Sequence, residues 1–407
     1  MAKPAGSACN LSCDYCFYLK KAKLYPGSDF RMSAQVHEAY IRQLLEFHQA
    51  PQVTVAWQGG EPTLMGLNFF RHSVALQKKY QKPNTYIENT FQTNGILLND
   101  EWCRFFRENN FLVGLSLDGP RELHDFYRKD QAGRGTFDRV VRAARLLQKH
   151  RVEVNILCAI NAKNQSHPLE TYRFFRDELG FHYIQFIPIV ERQDESGFQE
   201  GDTVTDRSVQ PGTFGRFLIE IFDEWVRRDV GRTFVLNFDG ALAGWLKMAG
   251  TVCIHAPTCG LGMALEHNGD LYSCDHFVDP EHYLGNILET PLIELIASEQ
   301  QRKFGREKKN SLPRCCRECA FLSICNGECP KNRFKRTPEG QPGLNYLCEG
   351  YKAFFKHSDK FMRIMAGLIR ANRPASEVMA IVAGEQGHRQ AKFATTGRND
   401  PVRSGAE

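Results

Sequence analysis

The sequence predicts an α/β fold, a parallel sheet curved into a full or partial barrel and followed by a C-terminal cysteine-rich module. Three observations predict it. Short apolar runs alternate with helical patterns from residue 53 to about 190, which implies strand–helix units and a parallel sheet. Three cysteines fall within eight residues near the start, and nine more lie between Cys253 and Cys348. The pattern from about Gly231 is loop-rich, and such small modules usually rely on metals rather than a large core.

The strand candidates are 53–57, 85–91, 111–117, 152–159 and 183–187, rich in β-branched and aromatic residues. Helices are predicted between them at 33–48, 67–80, 100–109, 136–150 and 168–179. In the fourth, Phe137, Val140, Val141, Ala144 and Leu147 recur on one face. Ser33 suits an N-cap and Pro168 a first helical turn. Residues 191–213 read as a polar loop, 213–228 and 351–372 as helices, and the tail as structureless. This divides the chain into 1–230, 231–372 and a disordered 373–407. In such barrels chemistry is expected just after the strands, at Gln58-Gly-Gly-Glu-Pro62, Gln92-Thr-Asn-Gly95 and Asp118-Gly-Pro120.

Composition bounds the function. The 407 residues are 42% hydrophobic and 24% charged, ordinary for a globular protein, and the net charge of +5 is too mild to imply nucleic acid. No apolar run approaches the ~20 residues that span a bilayer, and the start does not read as a signal peptide. A cytoplasmic protein is expected, with no nucleic-acid or membrane partner. In a reducing compartment fourteen cysteines are metal ligands sooner than disulfides.

Cys9, Cys13 and Cys16 have the spacing C-x3-C-x2-C. Three thiolates on a [4Fe–4S] cubane leave one iron open to bind a small molecule. Zinc, which takes four tight ligands, fits the triplet poorly. Further on, Cys253, Cys259, Cys274, Cys316, Cys319, Cys325, Cys329 and Cys348 suffice for two fully ligated clusters, with two four-cysteine zinc sites the alternative. Cys315, beside Cys316, reads as a bystander. The basic runs 302–309 and 331–336 read as solvated surface.

The triplet, with an aromatic before its last cysteine, and Gly59-Gly-Glu-Pro62 after a strand resemble the radical S-adenosylmethionine (SAM) superfamily. The resemblance implies a partial (β/α)6 radical SAM barrel. It also implies that S-adenosyl-L-methionine chelates the open iron and is cleaved reductively to a 5′-deoxyadenosyl radical. The glycines would let backbone carbonyls approach its ammonium group. The later cysteines resemble the SPASM extension. That match places one auxiliary cluster on Cys253, Cys259, Cys274 and Cys329, and another on Cys316, Cys319, Cys325 and Cys348, for three [4Fe–4S] clusters in all.

Cys16-Phe-Tyr18, Gln58-Gly-Gly-Glu-Pro-Thr-Leu64, Gln92-Thr-Asn-Gly95, Val113-Gly-Leu-Ser-Leu-Asp-Gly119, Tyr127-Arg-Lys-Asp130, Asn155-Ile-Leu-Cys158 and Tyr272-Ser-Cys-Asp275 resemble the anaerobic sulfatase-maturating enzymes. These oxidise a Cys or Ser of a sulfatase Cys/Ser-x-Pro-x-Arg stretch to Cα-formylglycine. The resemblance implies Asp275 as general base. It implies Tyr18 and Gln58 at the substrate, and Tyr15, Gly60, Ser116, Arg128 and Ile189 at the cofactor, with Arg128 a fork for its carboxylate. An unfolded or nascent sulfatase would be the substrate, and flavodoxin or ferredoxin an electron donor. A thioether-forming SPASM maturase is the alternative within the class; an iron–sulfur electron carrier lies outside it. Only eight residues precede Cys9, so the barrel's first strand is expected to be very short or to begin upstream of Met1.

Overall fold

The structure is a computed structural model, described here for residues 1–193, 200–248 and 252–384. Six strands form one parallel sheet in sequential order: β1 (Gln52–Trp57), β2 (Tyr86–Thr93), β3 (Phe111–Ser116), β4 (Glu153–Ile160), β5 (Tyr183–Pro188) and β6 (Phe234–Val235). Five lie where the sequence places them. The sixth, two residues long, carries no alternation to read. It also lies past residue 230, so the sheet outruns the boundary expected there.

Helices cover the strands on the outside. They are α1 (Ala34–Phe47), α2 (Leu67–Tyr80), α3 (Asp100–Glu108), α4 (Arg121–Tyr127), α5 (Phe137–Lys149), α6 (Pro168–Arg173), α7 (Pro211–Arg228) and α8 (Leu236–Trp245). Local chemistry starts several of them: Ser33 accepts from Val36 N, Asn99 accepts from Glu101 N and Trp102 N, and Pro168 sits in a first turn. The helix predicted at 168–179 ends instead in one π turn, Phe174–Glu178. There both Phe174 and Phe175 are buried.

The strand before the cysteine triplet is a single residue. Ala2 bridges Trp57 on one side and Leu265 on the other. Ala2 N donates to Ala56 O at 2.8 Å, Gln58 N to Ala2 O at 3.0 Å, and Lys3 N to Leu265 O at 2.8 Å. Leu265 belongs to β7 (Ala264–Leu265), which continues antiparallel through β8 (Asp270–Tyr272) to β9 (Tyr283–Asn286). The chain start thus stitches the barrel edge to the cysteine-rich module.

A helix at Cys348–Arg370 packs along α7, where Phe214 meets Tyr351 and Phe222 meets Phe354. Of the expected structureless tail, 375–384 is helical with Val378 and Val382 buried; 385–407 lies outside the described residues. The basic runs correct a second expectation. Lys308 is 1% exposed and donates to the carbonyls of Cys253 and Ile254, and Arg333 donates to those of Asn326, Gly327 and Glu328. These long cations satisfy carbonyls of a loop-rich module that has few ladders of its own. No described helix is long and apolar enough to cross a membrane.

Candidate functional site

The strand ends Gln58, Asn94, Ser116 and Ile189 open on one cavity of about 410 Å³, which the cysteine-rich module closes from the other side. Cys9, Cys13, Cys16, Tyr15, Tyr18, Gly60, Arg128, Cys253, Asp275 and Cys329 also line it. Cys259, Cys274, Cys316, Cys319, Cys325 and Cys348 do not.

The triplet loop is held by main chain. Gly60 N donates to Gly6 O and Glu61 N to Ala8 O, each at 2.8 Å. A Cβ on Gly60 would lie 1.9 Å from Ala8 O, so glycine is required here by the approach of the triplet's own backbone. Glu61, 0% exposed, then straps β1 to β2. Its carboxylate accepts from Thr63 N (3.1 Å), Thr63 Oγ1 (2.7 Å), Thr93 Oγ1 (2.8 Å) and Asn94 N (2.8 Å). Burial raises its carboxyl above the ordinary value against the pull of those donors. Asn94 in turn reaches Asn10 Oδ1 at 2.7 Å and Cys9 Sγ at 3.7 Å.

Asp118, 0% exposed, organises the opposite wall. Its Oδ2 accepts from Tyr15 OH and, at 3.0 Å, from Arg128 Nε; its Oδ1 accepts from Ala159 N at 3.0 Å. The Arg128 side chain is 11% exposed rather than solvated. Burial alone would lower its guanidinium, yet Asp118 and Tyr15 hold it well above the ordinary value. Its two terminal nitrogens make no hydrogen bond among the described residues, which leaves a free fork at the cavity. Ser116 Oγ accepts from Gln92 Nε2 at 2.9 Å.

Across the cavity Asp275 forms an ion pair with Lys3, 1% exposed. Burial pushes the Asp275 carboxyl up, but the charges of Lys3 and His276 outweigh it and hold it below its ordinary value. Tyr18 lends its ring to the wall while its hydroxyl is bonded to buried Glu266, and Gln58 Nε2 rests against Met1 Sδ. His276 lies against Phe17 with the rings tilted at 48°, and burial pushes its imidazole down to about 4. Lys331, expected on the surface, lines the cavity and donates to Asn332 Oδ1 at 2.7 Å.

All fourteen cysteines are free thiols. Burial pushes Cys9 and Cys274 up to about 12 and Cys13 up to about 11, so thiolates here call for a metal to displace the proton. After burial, smaller effects reveal neighbours. Cys259 and Cys253 raise Cys274, and Cys274 raises Cys329. Separately Cys315 and then Cys348 raise Cys316, Cys348 and Cys316 raise Cys325, and Cys319 and then Cys315 raise Cys348, so Cys315 stands in this neighbourhood beside the four expected ligands. No three described Cys, His, Asp or Glu side chains converge on one metal ion.

Residues 4–175 match the Radical SAM superfamily and residues 258–320 the SPASM iron–sulfur cluster-binding domain. A serine-type anaerobic sulfatase-maturating enzyme from Bacteroides thetaiotaomicron is 48% identical over 395 residues, 94% of this chain and 95% of that protein. The chain belongs to the anaerobic sulfatase-maturating enzymes. It is therefore an α/β radical SAM oxidoreductase carrying iron–sulfur clusters. A cysteine-type member from Clostridium perfringens is 34% identical over 365 residues, 88% of this chain and 95% of that one. The solved structure of native anSMEcpe with bound AdoMet and Cp18Cys peptide superposes with a TM-score of 0.82 at 34% identity, covering 90% of this chain and 98% of that one.

Sequence reasoning missed Lys3, His276, Lys331 and the individual roles of Asn94 and Asp118. Asp118 follows a strand in Asp-Gly-Pro, a readable signal. A lone Lys3 and a lysine in a basic run carry none.

Proposed function

We propose that this chain oxidises one Cys or Ser side chain of a sulfatase, within a Cys/Ser-x-Pro-x-Arg stretch, to Cα-formylglycine in the absence of oxygen. One observation carries the reading. A carboxylate, Asp275, shares a single cavity with an open cysteine triplet in a member of this family. Bound together, the first cluster and S-adenosyl-L-methionine supply the hydrogen-abstracting power.

The chain's own residues do the rest. Cys9, Cys13 and Cys16 hold the first cluster. Arg128 offers its two free terminal nitrogens to the cofactor carboxylate, and Asp118 keeps Arg128 and Tyr15 in place. Gly60, Ser116 and the main chain at Ile189 complete the cofactor's bed. Tyr18 and Gln58 flank the substrate, and Asp275 takes the proton of its thiol or hydroxyl. Cys253, Cys259, Cys274 and Cys329 bind one auxiliary cluster, and Cys316, Cys319, Cys325 and Cys348 the other, giving the substrate's electron an outlet. The two cysteine neighbourhoods support this division. Flavodoxin or ferredoxin donates the reducing electron, and the free thiols suit a cytoplasmic location.

The test is anaerobic incubation of the reconstituted enzyme with cofactor, reductant and a Cys-x-Pro-x-Arg or Ser-x-Pro-x-Arg peptide. Formylglycine appears by mass with one deoxyadenosine per turnover. Deoxyadenosine without change in either peptide would remove the sulfatase reading and favour another SPASM maturase. Asp275→Asn should keep its iron and lose product.

A further inference from the structure

We propose that Lys3 is a positioning residue of this enzyme: its ammonium group, set between the Asp275 carboxylate and the Tyr18 ring, fixes that carboxylate at the cavity wall. The inference rests on the formylglycine reading and on Asp275 as its base.

Lysine is almost never fully buried without a partner, because desolvating an ammonium is costly. Lys3 is 1% exposed, and among the described residues its ammonium has one hydrogen-bond acceptor, Asp275 Oδ1. The ammonium also lies 4.5 Å from the centroid of the Tyr18 ring, whose π face stabilises a cation. Tyr18 cannot swing away, since its hydroxyl is tied to Glu266, itself buried.

The lysine is placed by backbone, not by its flexible stem. Its N–H donates to Leu265 O at 2.8 Å and its carbonyl accepts from Gly6 N at 2.9 Å. Its Cβ packs beneath Gly59, where an added Cβ would lie 3.3 Å away. Both sheet edges that meet at Ala2 therefore fix where the ammonium stands.

The pairing is also one-sided. Lys3 occupies Oδ1, while Oδ2 accepts no hydrogen bond among the described residues, and Asp275 lines the cavity. One oxygen is anchored and the other is presented to a substrate thiol or hydroxyl. A carboxylate without its anchor rotates freely about its side-chain bonds, and a misplacement of ~1 Å at a reacting group costs about 10²-fold in rate.

The experiment compares holoenzyme with Lys3→Met, Asp275→Asn and the double variant, on the Cys-x-Pro-x-Arg and Ser-x-Pro-x-Arg peptides. Lys3→Met should keep about twelve irons, cleave the cofactor at the wild-type rate and hold its peptide KM within about threefold. Its kcat and its formylglycine per deoxyadenosine should fall at least about tenfold. Added to Asp275→Asn, it should lower the residual formylglycine rate of that variant no further, because it acts through that carboxylate. Wild-type kcat and coupling in Lys3→Met, or a further loss in the double variant, would overturn the proposal. If Lys3→Met fails to load iron, the double variant decides. Loading restored there shows the two residues coupled, and loading still lost makes Lys3 merely structural and overturns the proposal. Wild-type enzyme that modifies neither peptide overturns the reaction itself, and this inference with it.

Discussion

Gly60→Ala tests how the triplet loop is held. A methyl group at this position meets backbone, not a flexible side chain: Ala8 O at 1.9 Å, Ala8 C at 2.6 Å and Ser7 C at 2.7 Å. Ordinary contact begins at 3.4 Å, so the two loops must part by about 1.5 Å. That breaks the hydrogen bonds from Gly60 N to Gly6 O and from Glu61 N to Ala8 O, both 2.8 Å. Each broken bond leaves a buried donor unsatisfied at about 1–3 kcal/mol, so the loop loses roughly 2–6 kcal/mol. Ala8 directly precedes Cys9, so the loss falls on the first cluster and spares the cysteines beyond 253. After anaerobic reconstitution, iron should fall from about twelve to about eight per chain. Formylglycine formation should fall at least about 100-fold. A Gly60→Ala enzyme with full iron and more than a tenth of wild-type activity would refute the reasoning.

Two further outcomes follow from buried charge. Asp118→Asn cannot accept from Tyr15, Arg128 and Ala159 together, because one of its oxygens becomes a donor. S-adenosyl-L-methionine affinity by titration calorimetry should weaken about 10- to 100-fold, and a change under threefold would count against Asp118 as organiser. His37 stacks on Phe69 with centroids 4.0 Å apart and its buried Nε2 has no hydrogen-bond partner among the described residues; burial, then His72, pushes its imidazole down to about 3. A histidine depressed in the fold is protonated first in the unfolded chain, so its contribution is whole above about 6.5 and lost as pH falls toward 3. Between those limits wild type should lose about 1.4 kcal/mol per pH unit that His37→Phe does not. Denaturation at pH 7, 6 and 5 reads it, and parallel curves would refute it.

The parts of this molecule that repeat were legible in its sequence. Strands β1 to β5 and their helices announce themselves because burial imposes a period, as in Val140, Ala144 and Leu147 of α5. The triplet is legible because its C-x3-C-x2-C spacing lies within one short stretch of chain. β6 and the Ala2 bridge were not, since two residues and one residue hold no period. Lys308 and Lys331 looked like surface for the same reason: composition gives the charge of a run and not the direction in which each side chain points.

By itself the sequence determined the fold class, the iron–sulfur chemistry and the family, because spacing and motif order are properties of the chain. Only the tertiary structure decided which groups meet. Lys3 and Asp275 are 272 positions apart, and Tyr15 and Asp118 are 103 apart. No local pattern records such pairs: the first forms where Ala2 joins β1 to β7, the second where the triplet loop meets the segment after β3. The glycines after β1 were readable as a motif, but their cause was not. They are there because the triplet's own backbone passes within a methyl group's breadth of Gly60.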